Sequence, residues 1–84
     1  MTVREKLQSM LVNKGMSGTQ AEEVMVIAEP ELNKLANDYK ITFNRPADEY
    51  PCVIYTILFM VIRRIALKWI EENMPLAWYK PMFL

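Results

Sequence analysis

Between Cys52 and Ile62 the chain reads CVIYTILFMVI, with Thr56 its one weakly polar side chain, before Arg63 and Arg64 end the run. A helix through this stretch is apolar around its whole circumference, and such a helix has to be buried by something. The chain is only 84 residues long, so it has little material with which to do that. Whatever fold it adopts must solve this covering problem first.

A membrane is one possible cover. A bilayer crossing takes about 20 apolar residues, whereas a run of about 10–14 reads as a core helix. Extending the run forward takes in Arg63, Arg64 and Lys68, at roughly 2.5–3.5 kcal/mol each near a bilayer centre. No membrane insertion is expected. The cover has to be protein.

The rest of the chain supplies helices for the purpose. Thr2 and Glu5 have the spacing of a capping box, Val3, Leu7, Met10 and Leu11 fall on one stripe, and Lys14-Gly15 is a stop. The first helix is therefore placed at about 3–14. Ser17 and Gln20 repeat the capping pattern and open a second helix, about 18–38, with Ala21, Val24, Met25, Ala28, Leu32, Leu35, Ala36 and Tyr39 in phase. The phase survives Glu29-Pro30, so the helix is expected to be kinked or split at Pro30 rather than interrupted by a long loop.

Residues 37–47 lack helical period. Tyr39, Ile41 and Phe43 alternate as in a strand, but no second strand is available within the chain to pair with them. An extended connector with its apolar side against the core is expected, unless two copies pair there. Asp48 then reads as the cap of a long third helix, about 49–73, with Glu49 in its first turn, Pro51 at its third position and a stop before Pro75. The fold class is all-α, a small bundle of three main helices in one domain, 1–84.

On a helical wheel the third helix separates two stripes. Tyr55, Leu58, Phe59, Ile62, Ile65, Ala66, Trp69 and Ile70 form a core stripe along its full length. Opposite the C-terminal half lie Arg64, Lys68, Glu71 and Glu72, a solvated face with a Lys68–Glu72 pair at i,i+4. Opposite the N-terminal half lie Val53, Ile57, Met60 and Val61, flanked by Ile54. Burying four such side chains is worth about 6–10 kcal/mol, comparable to the net stability of a small domain. Three covers are open: another part of the same chain, a second copy, or a different partner. A helix as long as the domain and apolar on two sides exceeds what two shorter helices can cover. A homo-oligomer, a dimer first, is therefore expected, because a two-fold axis supplies the same patch twice. Its interface residues are Val53, Ile57, Met60 and Val61, with Arg64 at the wet rim. The tail, 75–84 (PLAWYKPMFL), is rich in aromatics and is expected to dock, bringing Trp78, Tyr79 and Phe83 to the same region.

Composition narrows the chemistry. Apolar residues make up 52% of the chain, and the seven methionines suit a core with irregular gaps. Ten basic and ten acidic residues cancel, so no net field attracts a nucleic-acid backbone. With no histidine, the commonest metal ligand and general base is missing. The single cysteine, Cys52, rules out an intrachain disulfide and a multi-thiolate zinc site, and its place at the head of an apolar run suggests a buried, inert thiol. No catalytic residue, cofactor or metal site is expected. Glu22/Glu23, Glu29/Glu31, Asp48/Glu49 and Glu71/Glu72 read as solvated helix faces or first-turn charges. The opening residues MTVREKLQ lack the apolar core of a signal peptide, and one unpaired cysteine fits a reducing cytoplasm.

Three resemblances bear on function. The segment KGMSGTQAEEVM, within residues 5–36, is similar to ubiquitin-associated three-helix modules in its glycine-led loop and the following helix with Gln20 and Ala21. That likeness implies a protein-binding surface around Gly15, Met16 and the second helix. The same segment can be drawn as a helix-turn-helix, which makes a DNA-binding regulator the alternative function, although Glu22, Glu23 and Glu29 on its outer face would repel phosphates. Over nearly its whole length, through KLQSMLVNKGM, EYP, IY, LF and ALKWIEENMPLAWYKPMF, the chain resembles short bacteriophage and prophage proteins of no known activity. That resemblance implies a phage accessory product that is an interaction protein rather than an enzyme and binds a host or phage protein.

Overall fold

The structure, a computed structural model, describes residues 1–73. Three helices make the bundle: α1, Val3–Asn13, α2, Gly18–Tyr39, and α3, Cys52–Asn73, with a short 3-10 turn at Ala47–Glu49 between the last two. Among the described residues there is no strand, only an isolated bridge between Thr2 and Pro46.

Both capping boxes form. The Thr2 hydroxyl accepts from the Glu5 N–H while the Glu5 carboxylate accepts from the Thr2 N–H, and Ser17 and Gln20 do the same for α2. Helix α1 stops as its sequence implies. Gly15 takes a left-handed φ of 112°, its N–H donates to the Val12 carbonyl, and the Met16 N–H donates to that of Leu11. Met16 and Leu11 are both buried, which supplies the apolar contact such a cap needs.

Helix α2 is one helix with Pro30 inside it, not two helices meeting there. Proline removes the N–H that would bond the Val26 carbonyl. Pro30 and Val26 are both exposed, so that carbonyl lies on the wet side of the helix, where water can take up the lost bond. The helix ends at Lys40, held in the left-handed region at φ 56°, ψ 50°, and the N–H groups of Lys40 and Ile41 both donate to the Ala36 carbonyl.

Helix α3 begins at Cys52, three residues later than the expected start at 49. Pro51 disfavours helical backbone at the preceding residue, and Tyr50 is accordingly extended, at φ −116°, ψ 145°. Asp48 and Glu49 thus belong to the separate 3-10 turn and do not cap α3. At 22 residues the helix is about 33 Å long, against a molecular long axis of 37 Å.

The core is built in register from the three helices. Val3, Leu7 and Leu11 of α1 meet Ala21, Val24, Met25, Ala28, Leu32 and Ala36 of α2, and Tyr55, Leu58, Ile62, Ala66 and Ile70 of α3, all buried. Phe59, Ile65 and Trp69 flank the α3 stripe half-buried. Tyr39, expected inside, is 47% exposed at the end of α2.

The connector after α2 has two roles. Ile41 is buried and Phe43 packs against the core, so its apolar side is pinned as the alternation implies. Its backbone also completes α1. The Val3 N–H donates to the Arg45 carbonyl at 3.0 Å and the Arg4 N–H to the Phe43 carbonyl at 3.1 Å, while the Thr2 N–H donates to the Glu5 carboxylate and the Glu5 N–H to the Thr2 hydroxyl. All four N–H groups that open a helix without an internal partner are therefore satisfied at α1. Arg45 and Glu49 clamp the connector through two hydrogen bonds, and the Thr42 N–H donates to the Tyr50 hydroxyl.

Candidate interaction surface

Helices α2 and α3 run antiparallel. Glu31 of α2 pairs with Arg64 of α3, and one turn earlier on α2, Ile27 faces the turn of α3 that carries Lys68 and Glu72. Between the two helices lies a groove of about 360 Å³, lined by Ile27, Glu31, Arg64, Ile65, Lys68, Trp69 and Glu72. Its floor is apolar and its rim is charged. From Arg64 the same ridge of α3 continues toward the N-terminus through Val61 and Met60, three and four residues back, and then Ile57 and Val53 at further intervals of three or four.

That ridge is only partly covered. Met60 is 67% and Val53 58% exposed, while Ile54, Ile57 and Val61 are half-buried. Arg64, expected at a wet rim, is exposed and engaged with Glu31 of its own chain. Trp78, Tyr79 and Phe83, and the docking of the tail as a whole, lie outside the described residues. Among the described residues the ridge therefore ends in two wet apolar side chains with half-buried neighbours between them.

Cys52 is exposed, not buried. It is the first residue of α3, and the core-facing positions of that helix begin one turn later, at Tyr55. The run of apolar letters overstates where the core begins. Tyr55 itself is buried, donates its hydroxyl to the Ala47 carbonyl, and has the Lys6 Nζ over its ring, 4.5 Å from the centroid. Burial, and then the nearby Tyr50, Asp48 and Cys52, push the Tyr55 hydroxyl above its ordinary pKa.

Two features escape the sequence reading. Val26 and Ile27, adjacent on the outer side of α2, are 55% and 54% exposed, and with Ile65 and Trp69 of α3 the second of them makes an apolar trough. The signal was present, since two β-branched residues interrupt a helix face otherwise marked by Glu22, Glu23 and Glu29. Met16, on which the ubiquitin-associated resemblance would place a binding surface, is buried in the core at 3% exposure.

Among the described residues no three potential metal ligands are grouped, and no helix is long and apolar enough to cross a membrane. The outer face of α2 presents Glu22, Glu23 and Glu29 to solvent, a charge pattern opposed to a phosphate backbone. No protein family, curated protein or solved structure matches the chain.

Proposed function

We propose that this protein is a non-enzymatic helical interaction protein, a phage-derived accessory factor of the bacterial cytoplasm that binds a host or phage protein. It self-associates, as a dimer first, through Val53, Ile57, Met60 and Val61 of α3, with Arg64 at the edge, and the C-terminal segment bearing Trp78, Tyr79 and Phe83 docks beside this ridge. The observation that carries the reading is the exposure of Met60 and Val53, at 67% and 58%, on a helix nearly as long as the molecule. Apolar side chains repeated along one exposed ridge mark a contact surface rather than a solvated one. A two-fold axis beside α3 pairs the ridge with its own copy and leaves the core untouched.

Light scattering at micromolar concentration tests the reading. The expected mass is twice the chain mass of 9.9 kDa, and Ile57→Glu, which sets a charge in the dry contact, is expected to give the single-chain mass or aggregate. A wild type that stays at the single-chain mass defeats the dimer. Salt-sensitive binding of duplex DNA would replace this reading with that of a DNA-binding regulator.

A further inference from the structure

We infer that the groove between α2 and α3 is the seat of the chain's own residues 75–84, folded back on the same molecule. This rests on the docking of the C-terminal segment proposed above and names the surface on which it docks. The floor of the groove is apolar, formed by Ile27, at 54% exposure, and the half-buried Ile65 and Trp69. Its rim is balanced, with Glu31 and Glu72 against Arg64 and Lys68. Such a rim accepts a nearly uncharged apolar segment without net repulsion.

Position and reach select the occupant. The groove lies beside the last described turns of α3, with Trp69 and Glu72 in its lining, and the described helix reaches Asn73, one residue beyond Glu72. Residues 75–84 are therefore tethered to the chain beside the groove. Pro75 opposes continuation of α3 and favours a reversal there. From Glu72 back to Arg64 the helix spans about 12 Å, whereas residues 78–83 in extended form span about 20 Å. The segment is long enough to line the whole groove and to end near Met60 and Val61.

Its composition fits the floor. Leu76, Trp78, Tyr79, Met82, Phe83 and Leu84 are six large apolar side chains in ten residues, with Lys80 the one charged side chain. A second copy could offer the same segment, but a short tether gives an effective concentration on the order of millimolar. At micromolar protein the segment of the same chain wins.

Paramagnetic relaxation in the full chain tests this. With Cys52→Ser as background, a nitroxide is attached at Lys68→Cys on the rim, or, as a control, at Asn44→Cys in the connector at the other end of the bundle. The expected result is that amide signals of residues 76–83 lose more than half their intensity with the rim label and little with the control. Adding Ile27→Glu, a change at an exposed site that leaves the core intact, is expected to restore them. Equal intensities with both labels overturn the inference. Relaxation that appears only when isotope-labelled chains are mixed with separate spin-labelled chains also overturns it, in favour of exchange between copies. Heteronuclear relaxation separates the two levels: a rigid segment without rim-label broadening removes this groove but keeps docking, and a freely mobile segment removes both. The dimer is judged independently, by light scattering.

Discussion

The hydroxyl of Tyr55, one turn into α3, donates to the backbone carbonyl of Ala47 in the 3-10 turn. The bond ties the start of the long helix to the connector that caps α1, and burial holds the phenol in its neutral form. Because the folded pKa is raised above the ordinary 10.0, this contribution is full below that value and is lost as pH rises through the folded one. Wild type is therefore expected to lose stability on going from about pH 8 to about pH 11, and Tyr55→Phe to lose less, after starting about 1 kcal/mol lower at neutral pH. Urea denaturation at the two pH values checks it. Parallel curves for the two proteins would remove Tyr55 as the cause.

The capping box at α1 responds at the other end of the pH scale. The backbone N–H of Thr2 and then its hydroxyl hold the Glu5 carboxyl below its ordinary 4.5. Its contribution is full above that value and is lost as pH falls through the lowered one. Glu5→Gln is expected to flatten the acid limb of the stability profile, read by thermal melts. Thr2→Ala is expected to cost about 1 kcal/mol at neutral pH.

Lys40 holds a left-handed conformation at φ 56° that a Cβ makes costly, by about 1–2 kcal/mol. Lys40→Gly is expected to stabilise the protein by about 1 kcal/mol and to raise its melting temperature by about 5 °C. Calorimetry decides. An unchanged or lowered melting temperature would mean that the lysine side chain contributes more in place than its backbone costs.

Ile62 and Met60 stand two residues apart on α3, yet one is buried and the other 67% exposed. Ile62→Ala is expected to cost about 2–5 kcal/mol at any protein concentration. Met60→Ala is expected to act through association: the wild-type melting temperature rises with concentration, and the variant's rises less. Melting curves across a hundredfold dilution series discriminate the two effects.

Reading these elements from the letters alone works where the cause is local. The boxes at Thr2 and Ser17, the stop at Gly15 and the α1 stripe depend on neighbours within one turn, so spacing reveals them. The start of α3 was misread because an acidic cap signal at Asp48 competed with the conformational restriction that Pro51 places on Tyr50, and the latter won. Cys52 and Tyr39 were misread because a periodic pattern states which face a residue shares and is silent on where along the helix the core stops. The spacing of Val53 and Met60 off the core stripe was legible, since it follows from the helical period alone, and both are exposed. The pair Val26-Ile27 left a signal in its acidic face, but the trough that Ile27 forms with Ile65 and Trp69 depends on how α2 and α3 cross.

The carbonyls of Phe43 and Arg45 that receive α1's first amides belong to residues 39 and 42 positions downstream. Closing so long a segment costs about 3 kcal/mol in chain entropy beyond a fixed term, and the cost is recovered only when the connector and α1 meet. The start of α1 is thereby denied the fraying usual at a helix end. The amides of Val3 and Arg4 should exchange with solvent through opening of the bundle as a whole, at the rate of its slowest amides, making residues next to the first methionine reporters of global stability.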